Sequence, residues 1–216
     1  MGTFESDLRV GVMGGSFNPV HCGHLRIASD VKRTLELDHM YLMPAAQSPL
    51  KVAHSVSVEH RVAMLKIALE DFPELELDCR ELDREGRSYT IDSLMAIRSE
   101  LGNSAGLYFV IGDDCLPSFH KWWRWRDITT VSNLIVTRRP GVFPDLPAEV
   151  NQWMTQTQVD LPTIRTMACG AVARMACALI DVSSTDLRKT LQAQRLDPEV
   201  IPVAVMEYIN EHKLYS

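Results

Sequence analysis

The chain has 216 residues, of which 46% are hydrophobic and 23% are charged, and its formal net charge is −6. This length suits one α/β domain with a core of its own, and the composition is that of a globular protein. The acidic balance argues against a broad nucleic-acid surface, which needs a basic face. A site for an anionic substrate would therefore have to be a local positive pocket.

The cysteines and the hydropathy pattern predict the compartment. The five cysteines include no C-x-x-C pair, a spacing that fits neither a disulfide framework nor a zinc site and favours a reducing compartment. Residues 1–9 lack the apolar stretch of a signal peptide, and no run reaches the ~18 apolar residues of a membrane span. We expect a cytoplasmic protein that binds neither membrane nor nucleic acid.

The first half of the chain predicts a βαβ unit, then another helix and a weak strand. Short apolar runs predict strands over residues 8–13 and 39–43. A helix over residues 23–35 is predicted between them by apolar residues at helical spacing: Leu25, Ala28, Val31 and Leu35. The next helix follows Ser57 as its cap, with an apolar stripe of Val58, Val62, Leu65, Leu69 and Phe72. Residues 75–78 form the weak strand.

The second half continues the alternation of strands and helices. A helix from Thr90 to the stop at Gly102 is predicted to turn four residues inward: Ile91, Leu94, Ile97 and Leu101. Strands follow over residues 107–111 and 133–137. We expect an irregular excursion at about residues 141–163, with one short helix near Trp153.

The remaining segments predict two strands and two helices. The last strands are expected over residues 164–168 and 177–182, and the alanine-rich residues 171–178 fit either a strand or a helix. One helix begins after residue 183, and an amphipathic helix covers residues 203–212. The helical portion from about residue 184 belongs to the same single domain, which we expect to span residues 1–216.

Strands that alternate with helices predict a Rossmann-like, doubly wound α/β fold. Its sheet is expected to be mostly parallel, with helices on both faces. Ligands of such folds bind beyond the carboxyl ends of the strands. The polar motifs of this chain follow its predicted strands, so we expect them to meet at one edge of the sheet.

The first motif is Gly-Gly-Ser-Phe-Asn-Pro-Val-His-Cys-Gly-His, at residues 14–24. Gly14 and Gly15 permit a tight turn and a close approach of the backbone, and a helix that starts near His21 turns its free N–H groups toward that turn, which suits an anion. Paired glycines can also simply turn a chain, and His21 and His24 could be incidental or metal ligands. A third metal ligand close by is missing, so no metal site is assigned.

The second motif is Ser-Ser-Thr-Asp-Leu-Arg, at residues 183–188. Its Ser-x-x-Asp pattern is typical of a capping box, which explains it without any function. Hydroxyl groups at a helix start, with Arg188 one turn later, would equally form a second phosphate cradle.

A tryptophan-rich segment, Lys-Trp-Trp-Arg-Trp-Arg, occupies residues 121–126. Such tryptophans are more often core or partner contacts than ligand platforms. The interleaved arginines could suggest nucleic acid, but the acidic total counts against that interpretation.

The motif at residues 14–24 resembles the first motif of the nucleotidylyltransferase superfamily, G-G-[ST]-F-[DN]-P-x-H-x-G-H, and residues 182–188 resemble its second, I-S-S-T-x-[IL]-R. Within the superfamily, the chain looks like the bacterial nicotinate-mononucleotide adenylyltransferases. The segments that carry this likeness are R-S-Y-T at 87–90, F-V-I-G-D-D at 109–114, W-W at 122–123, R-R-P at 138–140 and the ending at 208–215. The resemblance covers nearly the whole chain and is weakest over residues 141–176.

The resemblance implies a set of site residues. The phosphate-holding, catalytic positions are His21, His24, Lys51 and Arg188. The ATP contacts are Gly14, Gly15, Ser16, Phe17, Ile111, Gly112, Asp114, Ser183, Ser184 and Thr185, with Asp114 on the ribose. The contacts to nicotinate mononucleotide are Tyr89, Thr90, Trp122 and Trp123, with Trp122 stacked on the pyridine ring. Asn18 stands where many members have aspartate, and Leu50 stands where the bacterial enzymes commonly have histidine.

The implied reaction transfers AMP from ATP to nicotinate mononucleotide and yields nicotinate adenine dinucleotide and pyrophosphate, a step of NAD biosynthesis. Mg²⁺ would bind through the ATP phosphates and leave little trace in the sequence. Other acceptors remain open: nicotinamide mononucleotide, phosphopantetheine or a flavin nucleotide. A module that binds ATP without turnover is the alternative from another class, and the resemblance leaves homo-oligomerisation open.

Overall fold

The computed structural model describes residues 8–46, 56–84, 88–138, 145–177, 187–188 and 197–215. The strands found in these ranges are β1 (Arg9–Gly15), β2 (His39–Pro44), β3 (Glu76–Leu77), β4 (Gly106–Gly112), β5 (Asn133–Arg138) and β6 (Val172–Ala176). They pair in parallel in the order β3-β2-β1-β4-β5-β6. This is the doubly wound Rossmann order, so the predicted fold class is confirmed.

The helices connect these strands in the expected alternation. Those described are α1 (Cys22–Leu35), α2 (Val58–Leu69), α3 (Thr90–Leu101), α4 (Leu116–Phe119), α5 (Ile128–Val131), α6 (Ala148–Thr157), α7 (Leu161–Ile164) and α8 (Val203–Glu211). Short 3₁₀ turns lie at Asp113–Cys115 and Trp125–Asp127. Gly102 ends α3 with a positive φ of 77°, as the sequence predicted. None of the described helices is long and apolar enough to cross a bilayer.

The core has two parts, one on each side of the sheet. Alternate residues of a strand point to opposite faces, so Tyr108 and Val110 of β4 join one cluster whereas Leu107 and Phe109 join the other. The first cluster also contains buried residues of α1, α2 and α8, and we call this side the α1 face. The second contains buried residues of α3, α4, α5 and α6, and we call this side the α3 face.

The prediction for the last strands was wrong in part. Ile164 is the last residue of α7, a helix that starts because the Asp160 carboxylate accepts a hydrogen bond from the Thr163 N–H at 2.9 Å. The final strand of the described sheet, β6, instead uses the alanine-rich stretch, where pairing with β5 overrides the weak strand preference of alanine. Of the strand expected over residues 177–182, only Cys177 is described, and it lies outside β6.

Two further expectations need correction. The described part of the excursion, from residue 145 onward, is not irregular, because α6 and α7 occupy most of it. The helix near Trp153 is confirmed, and the Trp153 ring packs 5.2 Å from Trp125 and 5.5 Å from Phe119. The buried stripe of α2 also differs from the prediction and consists of Arg61, Met64, Leu65 and Ala68.

Candidate active site

The carboxyl ends of β1 and β4 lie side by side at the centre of the sheet. Met13 pairs with Val110 in the parallel ladder, so Gly14 and Gly15 continue alongside Ile111 and Gly112. Chain order reverses at this point, since β1 leads outward to β2 and β4 leads outward to β5. Doubly wound sheets bind ligands at such a switch point, which makes this edge the candidate site.

After β1 the chain turns sharply, and the ring of Phe17 packs against Gly15. Phe17 is fully buried with a positive φ of 44°, and a cis peptide bond joins Asn18 to Pro19. A Cβ at position 15 would come within 3.1 to 3.3 Å of the Phe17 ring, which is too close for easy accommodation. A side chain at position 15 would therefore require the buried Phe17 ring to shift by a few tenths of an ångström. We call residues 16–21 the β1–α1 loop.

His21 and His24 form a reciprocal cap at the start of α1. The His24 backbone N–H donates to Nδ1 of His21 at 3.4 Å, and the His21 backbone N–H donates to Nδ1 of His24 at 3.3 Å. The two rings stack with centroids 3.6 Å apart. Because each Nδ1 accepts a hydrogen bond, each neutral ring carries its proton on Nε2. Both histidines are thereby set as Nε2–H donors at a helix N-terminus, which suits phosphate oxygens.

Arg61 is a buried cation that the sequence reading missed. Its Nη1 donates to the Ser16 carbonyl at 2.7 Å, and its Nη2 donates to the carbonyls of Ala45 and Ala46 at 2.9 and 3.3 Å. Its side chain is 1% exposed, and burial lowers the pKa of its guanidinium. Arg61 thus ties the β1–α1 loop to the chain after β2. A polar residue inside an otherwise apolar helical stripe was the available signal.

Arg188 of the second motif reaches the same loop. Its Nη1 donates to the Asn18 carbonyl at 2.9 Å across 170 positions of sequence. The structure therefore brings the predicted phosphate contact Arg188 to the loop that contains Ser16, Phe17 and His21. Four other predicted phosphate contacts, Lys51, Ser183, Ser184 and Thr185, lie outside the described residues.

The end of β4 places two adjacent aspartates in different environments. Asp114 is exposed, and its Oδ1 lies so close to Gly112 that a Cβ there would collide with it. Asp113 is 2% exposed, and its Oδ2 has no hydrogen-bond partner within the described ranges. The exposed carboxylate of Asp114 is the one that a ribose can reach, in keeping with its predicted role.

The predicted acceptor residues lie on the α3 face. Tyr89 is the N-cap residue of α3 and Thr90 its first residue, and the Tyr89 ring lies 6.0 Å from the Trp123 ring, which is 60% exposed. Trp122 is half-buried, with its ring 6.3 Å from Phe109. An aromatic surface is therefore present where the pyridine ring was predicted to bind.

Phe109 connects the acceptor residues to the glycine turn. A Cβ added at Gly14 would lie 3.4 Å from the Phe109 ring, and the centroid of the same ring lies 6.3 Å from that of Trp122. Phe109 is therefore a common neighbour of the glycine turn and of Trp122.

A buried glutamate, Glu81, contacts the start of α3, next to the predicted acceptor residues Tyr89 and Thr90. Glu81 is 4% exposed and accepts a hydrogen bond from the Ser93 hydroxyl at 2.8 Å. Burial raises the pKa of this carboxyl, and hydrogen bonds from Ser93 and Ser88 partly oppose the rise. Ser88 directly precedes Tyr89, so Glu81 fixes the entry to α3. No motif in the sequence marks Glu81 for this role.

The fold agrees with the comparisons with known proteins. The cytidylyltransferase-like family model matches residues 12–190, so the chain belongs to the cytidylyltransferase-like family. A protein of Cellvibrio japonicus named "Probable nicotinate-nucleotide adenylyltransferase" is 36% identical over 95% of this chain and 98% of its own. A Chromobacterium violaceum protein of the same name is 40% identical over 96% and 98%. These relatives place the chain among the nicotinate-nucleotide adenylyltransferases.

Solved structures support the fold independently. Plasmodium falciparum nicotinic acid mononucleotide adenylyltransferase complexed with NaAD matches with a TM-score of 0.73 and 16% identity, over 96% of this chain and 97% of that one. The same enzyme complexed with APC matches with a TM-score of 0.71 at the same identity and coverage. At this level of identity the likeness concerns the fold alone.

Proposed function

We propose that this protein transfers AMP from ATP to nicotinate mononucleotide, with nicotinate adenine dinucleotide and pyrophosphate as products. The observation that carries the proposal is the reciprocal cap of His21 and His24, whose Nδ1 atoms both accept backbone hydrogen bonds beside a glycine turn at the switch point of the sheet. The full-length relatives bear the name of this activity, which makes nicotinate mononucleotide the first acceptor to test.

The chemistry needs donors rather than a base. A phosphate oxygen of the mononucleotide, already ionised at neutral pH, attacks the α-phosphorus of ATP; the new P–O bond forms as the bond to the pyrophosphate oxygen breaks. Catalysis then consists of orientation and of stabilising the charge on the phosphates. His21, His24 and Arg188 would donate to these oxygens. Lys51 and the hydroxyls of residues 183–185 are proposed to complete the set.

Mg²⁺ is the proposed cofactor. No cluster of three or more metal-ligating side chains occurs among the residues that the structure describes, and the donor set at the β1–α1 loop fits phosphate oxygens. A cation at this site would thus take phosphate and water ligands and would neutralise charge on the departing pyrophosphate.

The acceptor residues would recognise the other substrate. We propose that Trp122 stacks on the pyridine ring, that Tyr89 and Thr90 meet the nicotinate carboxylate beside the start of α3, and that the Trp123 backbone contributes a further contact. Asp114 would hold the ribose of ATP. A cytoplasmic location remains a prediction of this proposal.

The deciding experiment compares pyrophosphate release with ATP and Mg²⁺ across acceptors. We expect kcat/KM to be highest with nicotinate mononucleotide. Equal or faster turnover of nicotinamide mononucleotide would overturn the acceptor assignment, and preference for phosphopantetheine or a flavin nucleotide would indicate a different adenylyltransferase. If the protein binds ATP but none of these mixtures releases pyrophosphate, the result would indicate a nucleotide-sensing module instead.

A further inference from the structure

The segment after α8 turns back toward the β1–α1 loop. The Leu214 N–H donates to the Ile209 carbonyl at 3.0 Å, and the Lys213 N–H donates to the Asn210 carbonyl at 3.2 Å. Lys213 has a positive φ of 51°. This is the Schellman pattern of helix termination, which reverses the direction of the chain. It directs Tyr215 into the α1 face, where its ring is buried.

The Tyr215 hydroxyl contacts the side chain of Asn18. The Oη–Oδ1 distance is 2.6 Å, and the two residues are 8% and 4% exposed. Burial raises the pKa of Tyr215 far above its ordinary value, despite the opposing charges of Arg188 and Arg61. The hydroxyl therefore keeps its proton at every assay pH and donates it to Oδ1, which fixes the orientation of the Asn18 amide.

Asn18 in turn contacts one predicted phosphate donor and closely precedes another in the sequence. Its carbonyl accepts the hydrogen bond from Arg188, and Pro19 and Val20 alone separate it from His21. A buried Asn18 that is fixed through its side chain presents its carbonyl to Arg188 in one position. The contacts thus run from Tyr215 through Asn18 to a predicted triphosphate contact.

We infer that Tyr215 is a positioning residue for the ATP side of the site, acting through Asn18 on Arg188 and the β1–α1 loop. The inference rests on the proposed function only in that ATP is the ligand of this loop. Packing of the tyrosine ring needs no hydroxyl, whereas positioning does. Removing the single oxygen therefore separates the two roles.

The test is Tyr215→Phe, with Tyr208→Phe as the matched control. Tyr208 lies on α8, and its hydroxyl is 2.9 Å from Nδ1 of His60 on α2, so the control removes one hydroxyl bond of the same region that does not involve the loop. We expect Tyr215→Phe to lower kcat/KM for ATP about three- to tenfold, the size of one lost hydrogen bond. The KM for the mononucleotide should stay within twofold, and Tyr208→Phe should leave both values unchanged. Equal effects of the two variants, or equal effects on the two substrates, would overturn the inference.

Two further variants separate positioning from folding. Asn18→Ala removes the same bond from the other side and should reproduce the ATP-selective loss, whereas Asn18→Asp keeps an acceptor oxygen and should show a smaller loss than either Asn18→Ala or Tyr215→Phe. In an Arg188→Ala background, Tyr215→Phe should cost less than about twofold, because the residue on which it acts is gone. A full, additive loss in that background would contradict the proposed route.

Binding of the α,β-methylene analogue of ATP, measured by calorimetry, tests the inference without turnover. We expect weaker binding by Tyr215→Phe and unchanged binding by Tyr208→Phe. If the wild-type protein binds the analogue but releases no pyrophosphate, the proposed function fails and this comparison still decides the role of Tyr215. Identical affinities in the wild type and in Tyr215→Phe would remove Tyr215 from the ATP side.

Discussion

The two faces of the sheet hold their shares of the candidate site in different ways. On the α1 face, buried and partly buried polar groups fix the backbone of the β1–α1 loop: Arg61 binds its start, Arg188 binds its middle, and the paired histidines cap the helix at its end. On the α3 face, three of the four predicted acceptor residues are aromatic, all four are at least partly exposed, and Trp123 is 60% accessible. Hydrogen bonds therefore position the candidate site on the α1 face, whereas aromatic ring surfaces make up most of it on the α3 face.

This difference matches the two tasks. Triphosphate charge is stabilised best by donors that are already in place, because they need no reorganisation during the reaction. A flat heteroaromatic ring is held by stacking, which tolerates small shifts. Substitutions on the α1 face should therefore affect ATP use and turnover, and those on the α3 face should affect the KM of the acceptor.

The largest effect is expected at His24. His24→Ala removes a predicted phosphate donor, and we expect kcat to fall at least ~10²-fold, as for other lost transition-state donors. His39→Ala is the control, because His39 sits at the amino end of β2, where its Nδ1 contacts Glu76 at 2.7 Å; it should stay within twofold. Near-normal turnover of a folded His24→Ala protein would remove His24 from the site.

The next effect tests the acceptor side. Trp122→Ala should raise the KM for the mononucleotide about tenfold through lost ring stacking and leave ATP binding unchanged. Trp125→Ala is the structural control, since Trp125 is buried against Phe119 and Trp153. That variant should lose stability of about 3–5 kcal/mol without a selective change in KM. If Trp122→Ala behaves like Trp125→Ala, Trp122 belongs to the core alone.

A smaller effect is expected when Arg61 is replaced by a residue that makes fewer hydrogen bonds. In Arg61→Lys, one ammonium replaces the planar guanidinium that reaches three carbonyls, so the free energy of unfolding should fall by about 1–3 kcal/mol and kcat/KM for ATP by a few-fold. Arg33→Lys alters an exposed pair with Asp30 and should change neither quantity measurably. Loss of stability without any loss of ATP use would limit Arg61 to a structural role.

The smallest effect concerns the support of the acceptor side. Burial raises the pKa of Glu81 in the folded protein above its ordinary value, so folding favours the protonated carboxyl. The contribution of Glu81 to the free energy of unfolding is then fully present below the unfolded-state pKa and is lost as the pH rises through the folded-state pKa. Glu81→Gln removes this titration, so denaturant unfolding across that window should show a flatter pH dependence. Parallel profiles for the two proteins would contradict it.

Local patterns in the sequence predicted much of the fold. The apolar spacing of α1 placed Leu25, Ala28, Val31 and Leu35 inward, and all four are buried. β6 was mislocated because its strand character comes from pairing with β5, not from its own alanine-rich residues. The helical stripe of α2 was misread because its buried face begins with an arginine, and the partners that make this possible are carbonyls distant in sequence.

In the site, too, local motifs were predictable from the sequence and contacts between distant residues were not. Motif patterns pointed to His21, His24 and Arg188, and the structure brings all three to the β1–α1 loop and the adjoining start of α1. The use of His21 as a helix cap was not predictable from cap preferences, which favour Ser, Thr, Asp and Asn. The contact of Tyr215 with Asn18 joins positions 197 residues apart, and no local pattern reports such a contact.

The central place of β1 in the sheet has a consequence for redesigning specificity. β1 pairs with β2 on one side and with β4 on the other, and the loop that follows it contains residues proposed to contact ATP. Residues 88–90 and 122–123 lie outside the sheet, at a helix start and in a partly exposed segment. Libraries aimed at a new acceptor should therefore concentrate variation at those positions and keep the β1–α1 loop constant, so that most library members remain folded and retain their capacity to use ATP.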